Sequence, residues 1–519
     1  MFKKLAYGAS AAALFALAPA AVYAQQTDAL VRGTITDADG APVQGAVITF
    51  IDTRTNAAST ATTTTDGNFA RPNLRVGGPY TVTVAAPGYE GERINIGSLQ
   101  IGSNPPLNLS LDPANVETIV VSGQRIGNTL EIQNGVGTAF NAEDIQDVPL
   151  LDRDLTNIIE LDPLVSVSGA EGESGVVSFA GIEPRLNGFT VDGAVIADRF
   201  KLEEAFYPTL RQPISLEVIE AVNATYSEYS VLTTGAQGGL VNTVTKSGSN
   251  EFDGVVFFRY GDDTFQGTET EFGPLPDADF EEEEWGVTLS GPIIEDKLFF
   301  LVSYEEFEET NPDIYSLSQS ELDVFADIRN IFLTAADGSG DLRYDGFDPG
   351  VKTNLVDDTR TSERFFGKLD WQINNNHRAS LWYTDIQEQR LQNRGGYEFA
   401  FPTNAYDKTT DIQLYLGQLQ SDWTDQLSTT LRFTYKEQVI GQNARGDTSA
   451  TGTQFPTFII DAGLGDEVEA GPDPFRQANA FEDEALQLFA SADYVLGDHL
   501  ITVGGEYLDD ERANLFGQF

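Results

Sequence analysis

Residues able to do chemistry are scarce in this chain, and their spacing argues against catalysis. No cysteine occurs in 519 residues, which excludes disulfides, thiolate metal sites and thiol nucleophiles. The two histidines, His377 and His499, begin neither an H-E-x-x-H nor an H-x-x-E pattern. Both sit beside polar turn residues, where a solvent-facing role is expected. Carboxylates are abundant instead: "PLPDADFEEEEW", "YEEFEETNPD" and "FEDEA" crowd acid together. Such runs suit calcium or a cationic ligand in composition, but none has the spaced ligands of a calcium hand. Asp337-Gly338-Ser339-Gly340-Asp341 falls short in the same way. Solvated loop surface is their expected role, with no metal and no cofactor. No motif recommends a Ser-Lys or paired-carboxylate hydrolase, so no catalytic residue is assigned.

What the elements must do instead is set by charge and export. The formal net charge is -49, which repels nucleic acid and leaves cations or basic surfaces as charged partners. Lys3 and Lys4, the apolar run Leu5 to Ala18 and the small-x-small site Val22-Tyr23-Ala24 read as a secretory signal over residues 1–24. Pro19 breaks the run and no charged stop follows, so a membrane helix is the poorer reading. No other apolar run has that length, so a membrane could be crossed only by a closed barrel, which pairs every backbone amide internally.

Residues 25–112 read as a β-sandwich. "LVRGTITDADGAPVQGAVITFID" alternates around a turn at Asp39-Gly40, and "TATTTTDGNF" repeats the device at Asp66-Gly67. Val31-x-Gly33-x-Ile35-x-Asp37, then Gly40, Pro42, Gly45-Ala46 and Thr65-Asp66-Gly67-x-Phe69 resemble the carboxypeptidase regulatory-like domain. No histidine precedes residue 377, so an accessory role is expected rather than zinc-protease chemistry. Residues 126–250 mix helix and strand signals. Asn141 is placed to cap a short helix carrying Ile145, while Leu155, Ile158 and Ile159 mark a second apolar face. "RLNGFTVDGAVI" gives two short strands around Asp192-Gly193, and Gly238-Gly239 breaks the last alternating stretch.

From about residue 251 the period becomes strictly two. In "LSTTLRFTYK", Leu427, Thr429, Leu431, Phe433 and Tyr435 oppose Ser428, Thr430, Arg432, Thr434 and Lys436. In "FFGKLDWQI", Leu369, Trp371 and Ile373 oppose Lys368, Asp370 and Gln372. One face wants lipid or core, the other water. Short turns at Pro292 to Asp296, Asn374 to His377, Asp422 to Gln426 and Gly497-Asp498 alternate with long loops. That is the pattern of an outer-membrane barrel rather than a sandwich, with long loops outside and tight turns in the periplasm.

The order of signal, sandwich, free strand, α+β unit and barrel resembles a TonB-dependent outer-membrane receptor. "VETIVVSGQR" looks like its energy-coupling box, with Glu117, Thr118, Ile119, Val120 and Val121 as the pairing residues within a linker over 113–125. The bland alternative makes Thr118 to Val121 the sandwich's last strand, but Leu107 to Leu111 already fills that place and Pro113 interrupts. "NATYSEYSVLTTGAQGGLVNTVTKSGSNEFDG" is similar to the end of the plug in Oar-like receptors, which also carry the carboxypeptidase-like domain. The resemblance marks Asn187, Asp192, Gly193, Gly238, Gly239, Asn242 and Lys246 as plug motif positions.

The resemblance implies a mainly β protein of the Gram-negative outer membrane: sandwich, plug and the first part of an antiparallel barrel over 251–519. Its partners would be TonB, outer-membrane lipid and an extracellular ligand such as a peptide, protein or oligomeric nutrient. The implied function is plug-gated uptake driven by the inner-membrane proton gradient. The alternative is a surface structural or adhesion protein that keeps the barrel without coupled transport. About nine candidate strands follow residue 252, where plugged transporters need about 22. The sequence is therefore expected to be the front of a longer chain.

Overall fold

Alternating polar and apolar residues over most of the chain leave little choice but sheets, and the computed structural model contains three β units in succession. It describes residues 26–114, 135–150, 153–168, 175–196, 207–228, 238–265, 269–270, 273–274, 280–334, 347–392, 399–445, 456–464, 467–473 and 478–517. The proposed signal over 1–24 and the proposed box, Glu117 to Val121, lie outside the described residues.

The first unit comprises β1 (Ala29–Asp37), β2 (Val47–Asp52), β3 (Ala57–Thr62), β4 (Asn68–Leu74), β5 (Tyr80–Ala85), β6 (Glu92–Ile96), β7 (Gly102–Ser103) and β8 (Leu109–Leu111). One sheet runs β3-β2-β5-β6; the other joins β4, β1, β7 and β8. The turns at Asp39-Gly40 and Asp66-Gly67 are present, with Gly40 and Gly67 at φ 83° and 74°, where a side chain would be strained. Neither closes a hairpin. Each carries the chain from one sheet to the other, because Ile35, Ile48, Phe50, Phe69 and Val82 must meet in one core between the sheets.

The second unit has β9 (Gly135–Asn141), α1 (Ala142–Asp147), α2 (Leu155–Ile159), β10 (Val165–Ser168), β11 (Val176–Phe179), β12 (Gly188–Val191), β13 (Ala194–Val195), β14 (Ile219–Glu228) and β15 (Leu240–Thr245). Its central sheet runs β13-β12-β15-β14-β9, with β12 and β15 parallel. Asn141 caps α1 in a reciprocal box with Asp144, as the local spacing requires. Leu155, Ile158 and Ile159 of α2 are buried.

The third unit is a nine-stranded antiparallel sheet: β16 (Asp253–Asp262), β19 (Glu281–Ile294), β20 (Leu298–Ile314), β21 (Leu355–Asn374), β22 (His377–Gln392), β23 (Tyr406–Asp422), β24 (Leu427–Ala444), β27 (Ala478–Leu496) and β28 (His499–Gly517). Two small hairpins, β17 (Glu269–Thr270) with β18 (Gly273–Pro274) and β25 (Phe458–Asp461) with β26 (Glu467–Ala470), stand in its long loops. Among the described residues β16 and β28 are its two edges. Leu369, Trp371, Leu381, Leu431, Phe433 and Leu488 are exposed on the convex face. There Phe365, Tyr383, Tyr415 and Tyr435 form a row with ring centroids 6.2, 4.6 and 6.3 Å apart. An apolar band bordered by aromatic rings is the lipid-facing signature of such walls.

The long loops hold more structure than their acidity suggests. Helix α3 (Gln319–Thr334), between β20 and β21, packs Phe325, Ile328 and Phe332 against Phe347, Phe401, Val468 and Ala470 from three loops. No described helix is long and apolar enough to cross a membrane.

Candidate functional site

The sheet's concave face is occupied. The core of the second unit, including Leu155, Ile158, Phe189, Val191 and Val218, is continuous with Leu301, Phe366, Trp382, Leu414 and Leu416 of the wall. This unit is a plug seated in the curve of the sheet, and polar contacts fix where it sits.

Of the residues singled out as plug motifs, Asn187 and Gly239 bond to each other, and the others meet neighbouring segments. Asn187 donates from Nδ2 to the Val177 carbonyl (2.7 Å) and accepts at Oδ1 from the Gly239 amide (2.8 Å), tying the chain after β11 to the start of β15. A Cβ on Gly239 would lie 2.1 Å from the Phe179 ring, so glycine is required by close approach. Asp192 turns at φ 47°, and its carboxylate accepts from the Thr245 amide (2.9 Å) and hydroxyl (2.6 Å). Gly193, at φ 78°, leaves no room for a Cβ against the Arg432 guanidinium. Asn242 accepts from the Thr190 hydroxyl (3.0 Å) and donates to the Gln26 carbonyl (2.6 Å). Lys246 contributes its backbone amide, which donates to the Val218 carbonyl (2.7 Å).

The wall grips this framework with residues that the sequence analysis did not assign to the site. Arg432 of β24 donates to the Asp192 carbonyl (2.7 Å), and Lys368 of β21 donates to the Thr245 hydroxyl (2.9 Å). Deeper in the seat, Arg211 of the plug pairs with Glu284 of β19 at 2.8 Å and lies over the Phe307 ring at 4.4 Å. Beside it Arg364 pairs with Glu305 and donates to the Gln212 carbonyl (2.7 Å). Glu388 accepts from the Leu210 amide (2.6 Å) and the Ser362 hydroxyl (2.8 Å). Glu284, Glu305 and Arg364 are all at least 97% buried. Charges this deep need partners, and these have them.

The acidic runs therefore need correction. In "FEEEEW" and "YEEFEE" the period of two sends Glu284 and Glu305 inward, to Arg211 of the plug and Arg364 of the wall, while Glu283 and Glu306 face outward. Solvated surface describes only half of each run. Lys368 and Arg432 were legible as members of a polar face; what they touch is plug, not water. No group of three or more His, Cys, Asp or Glu among the described residues is arranged to hold a metal ion.

Comparison with known proteins fits this architecture. Residues 30–112 match the family model of the carboxypeptidase regulatory-like domain, and residues 244–321 match that of an outer membrane beta barrel domain. The chain is 25% identical over 383 residues to the TonB-dependent transporter Oar of Myxococcus xanthus, covering 70% of this chain and 33% of that protein. The chain is related to the Oar-type TonB-dependent outer-membrane transporters. It spans about a third of the length of that relative. The outer membrane transporter YddB of Escherichia coli superposes with a TM-score of 0.51 at 10% identity, over 73% of this chain and 48% of that one. The siderophore receptor PirA of Acinetobacter baumannii gives 0.48 at 16% identity, over 72% and 48%. The likeness to YddB is one of fold: plug and outer-membrane β-wall.

Proposed function

We propose that the protein is the plug-gated receptor of an energy-coupled uptake system, which binds a ligand from outside and admits it when TonB pulls on the plug. The supporting observation is the seat itself. A plug held by buried, paired charges such as Arg211 with Glu284 leaves its place only if work is done on it, and the outer membrane has no ATP to supply that work. A periplasm-spanning partner can deliver it by adding a strand to an extended peptide, where main-chain hydrogen bonds provide grip. Glu117 to Val121, with four β-branched residues in succession from Thr118 through Val121, suit that pairing.

The loop core around Phe325, Phe332, Phe401 and Phe458 favours a ligand large enough to meet an ordered outer surface, such as a peptide, a protein or an oligomeric nutrient. Replacing Ile119 or Val120 by proline removes the pairing amide and is expected to abolish uptake, measured as growth on the nutrient that induces the gene, with surface binding unchanged. Uptake that survives in both variants would refute coupling through this strand. Uptake indifferent to collapse of the proton gradient would favour an adhesion role.

A further inference from the structure

We propose that the N-terminal sandwich is a removable cover, clamped across the periplasmic rim, that holds the plug in its seat until it is displaced. The proposal rests on the uptake reading only for what removes the cover. Three of the wall's four short turns present carboxylates to the sandwich. Asp296 accepts from Asn56 Nδ2 (2.9 Å), and Asp425 accepts from the Thr60 and Thr62 hydroxyls (3.1 and 2.9 Å). Asp498 accepts from Asn68 Nδ2 (2.8 Å). Asp422, at the foot of β23, pairs with Arg71 and accepts from Asn73 Nδ2 (3.2 Å). The fourth turn, at Asn375 and Asn376, borders a cleft shared with Ala57 and Ser59 of the sandwich. Hydrogen bonds from Asn56 and Asn250 hold the Asp296 carboxyl below the usual range, as expected of an acceptor engaged in its charged form.

The same domain is bonded to the part it covers. Arg54 pairs with Glu220 of β14 at 3.2 Å, and its carbonyl accepts from the Asn250 amide at 2.8 Å. Asn242 of β15 reaches the Gln26 carbonyl, and Ala221 and Val244 of the plug sheet are buried in the sandwich's own apolar cluster. A body fastened both to the rim and to the plug blocks movement of the plug toward the periplasm. Its rim contacts, apart from those of Asp422 with Arg71 and Asn73, are hydrogen bonds at exposed side chains, the kind that break one at a time. A polar cleft lined by Arg54 and Arg75 of the sandwich, Glu220 of the plug, and Lys368 and Arg378 of the wall lies where the three meet, so the joint is not a sealed apolar interface.

These 519 residues contain no cysteine, so within the sandwich, the plug and these nine strands the introduced thiols stand alone. Asn68→Cys with Asp498→Cys, in the receptor purified from outer membranes, should be joined by a short, reducible bis-thiol crosslinker. Asn68→Cys with Asp296→Cys should not, because those turns stand about six strand spacings apart, roughly 29 Å at about 4.8 Å each. In planar bilayers, ion current through the receptor reports loss of the plug from the lumen as urea is raised. The crosslinked receptor should conduct only at higher urea than the uncrosslinked one, and reduction should reverse the shift. Asp425→Asn with Asp498→Asn, on the rim alone, should conduct at lower urea. No crosslink at the matched pair, or unchanged urea thresholds, would overturn the cover. The bilayer contains no TonB, so failure there is distinct from failure of coupled uptake, which the proline variants report.

Discussion

Plug and sandwich rest on the same strands, yet the two are held in opposite ways. The plug sits among charges that are almost wholly buried and paired, Arg211 with Glu284 and Arg364 with Glu305, backed by an apolar core shared with the wall. The sandwich meets the rim mostly through asparagine and threonine side chains on exposed turn carboxylates, with one buried pair, Arg71 with Asp422. Buried pairs are costly to break because the survivor is left as an unpaired charge away from water. Exposed hydrogen bonds are cheap to break because water replaces them. The difference teaches that one joint is built to resist and the other to release.

The largest effect should come from splitting a buried pair. Arg364→Ala takes the ion-pair partner from buried Glu305 and deletes the donor to the Gln212 carbonyl, an expected loss of about 3–5 kcal/mol. The plug's hydrogen-exchange protection in β12 and β15 would report it. If the loss were no greater than that of a single rim contact, the contrast between the joints would fail. Next comes Gly239→Ala, whose Cβ would meet the Phe179 ring at 2.1 Å. Overpacking of that kind costs about 1–3 kcal/mol, and exchange in β11 and β15 should rise together. Smaller still is Asp498→Ala, which removes the exposed acceptor of the Asn68 amide on the rim side and should cost the docked sandwich about 0.5–1.5 kcal/mol. Protection of β4 would fall while that of the plug core stays.

Legibility followed the same divide between local and distant. Asn141 and Asp144 are three residues apart, so the cap on α1 could be read from spacing. The strict alternation around Leu431 and Arg432 revealed which residues share a face. What that face touches was not legible, because Arg211 and Glu284 are 73 residues apart and no periodicity links them. Helix α3 was missed for a related reason: its apolar positions Phe325, Ile328 and Phe332 are buried only by loops that arrive later in the chain. The sandwich's turns were found while their connectivity was not, since Asp39-Gly40 signals a change of direction and says nothing about which sheet receives the next strand.

The finest test of the contrast is a pH dependence confined to the rim joint. Burial, and after it the neighbouring Asp493, push the Asp28 carboxyl from 3.8 up to about 6, against the opposing pull of Arg378 and the Asn73 amide. Asp493 and Arg378 belong to the wall, so part of this shift exists only while the sandwich is docked. A raised value means that the docked state favours the protonated acid. The stability it adds is complete below pH 3.8 and is lost as pH rises through about 6. Crosslinking of Asn68→Cys with Asp498→Cys should therefore be fuller at pH 5 than at pH 7.5 once corrected for thiol reactivity with a free-thiol standard. Asp28→Asn, neutral throughout, should flatten the dependence. Exchange protection of β12 within the plug should stay level over the same range. A joint that loosens with rising pH while its neighbour does not is one that can be opened without disturbing the seat beneath it.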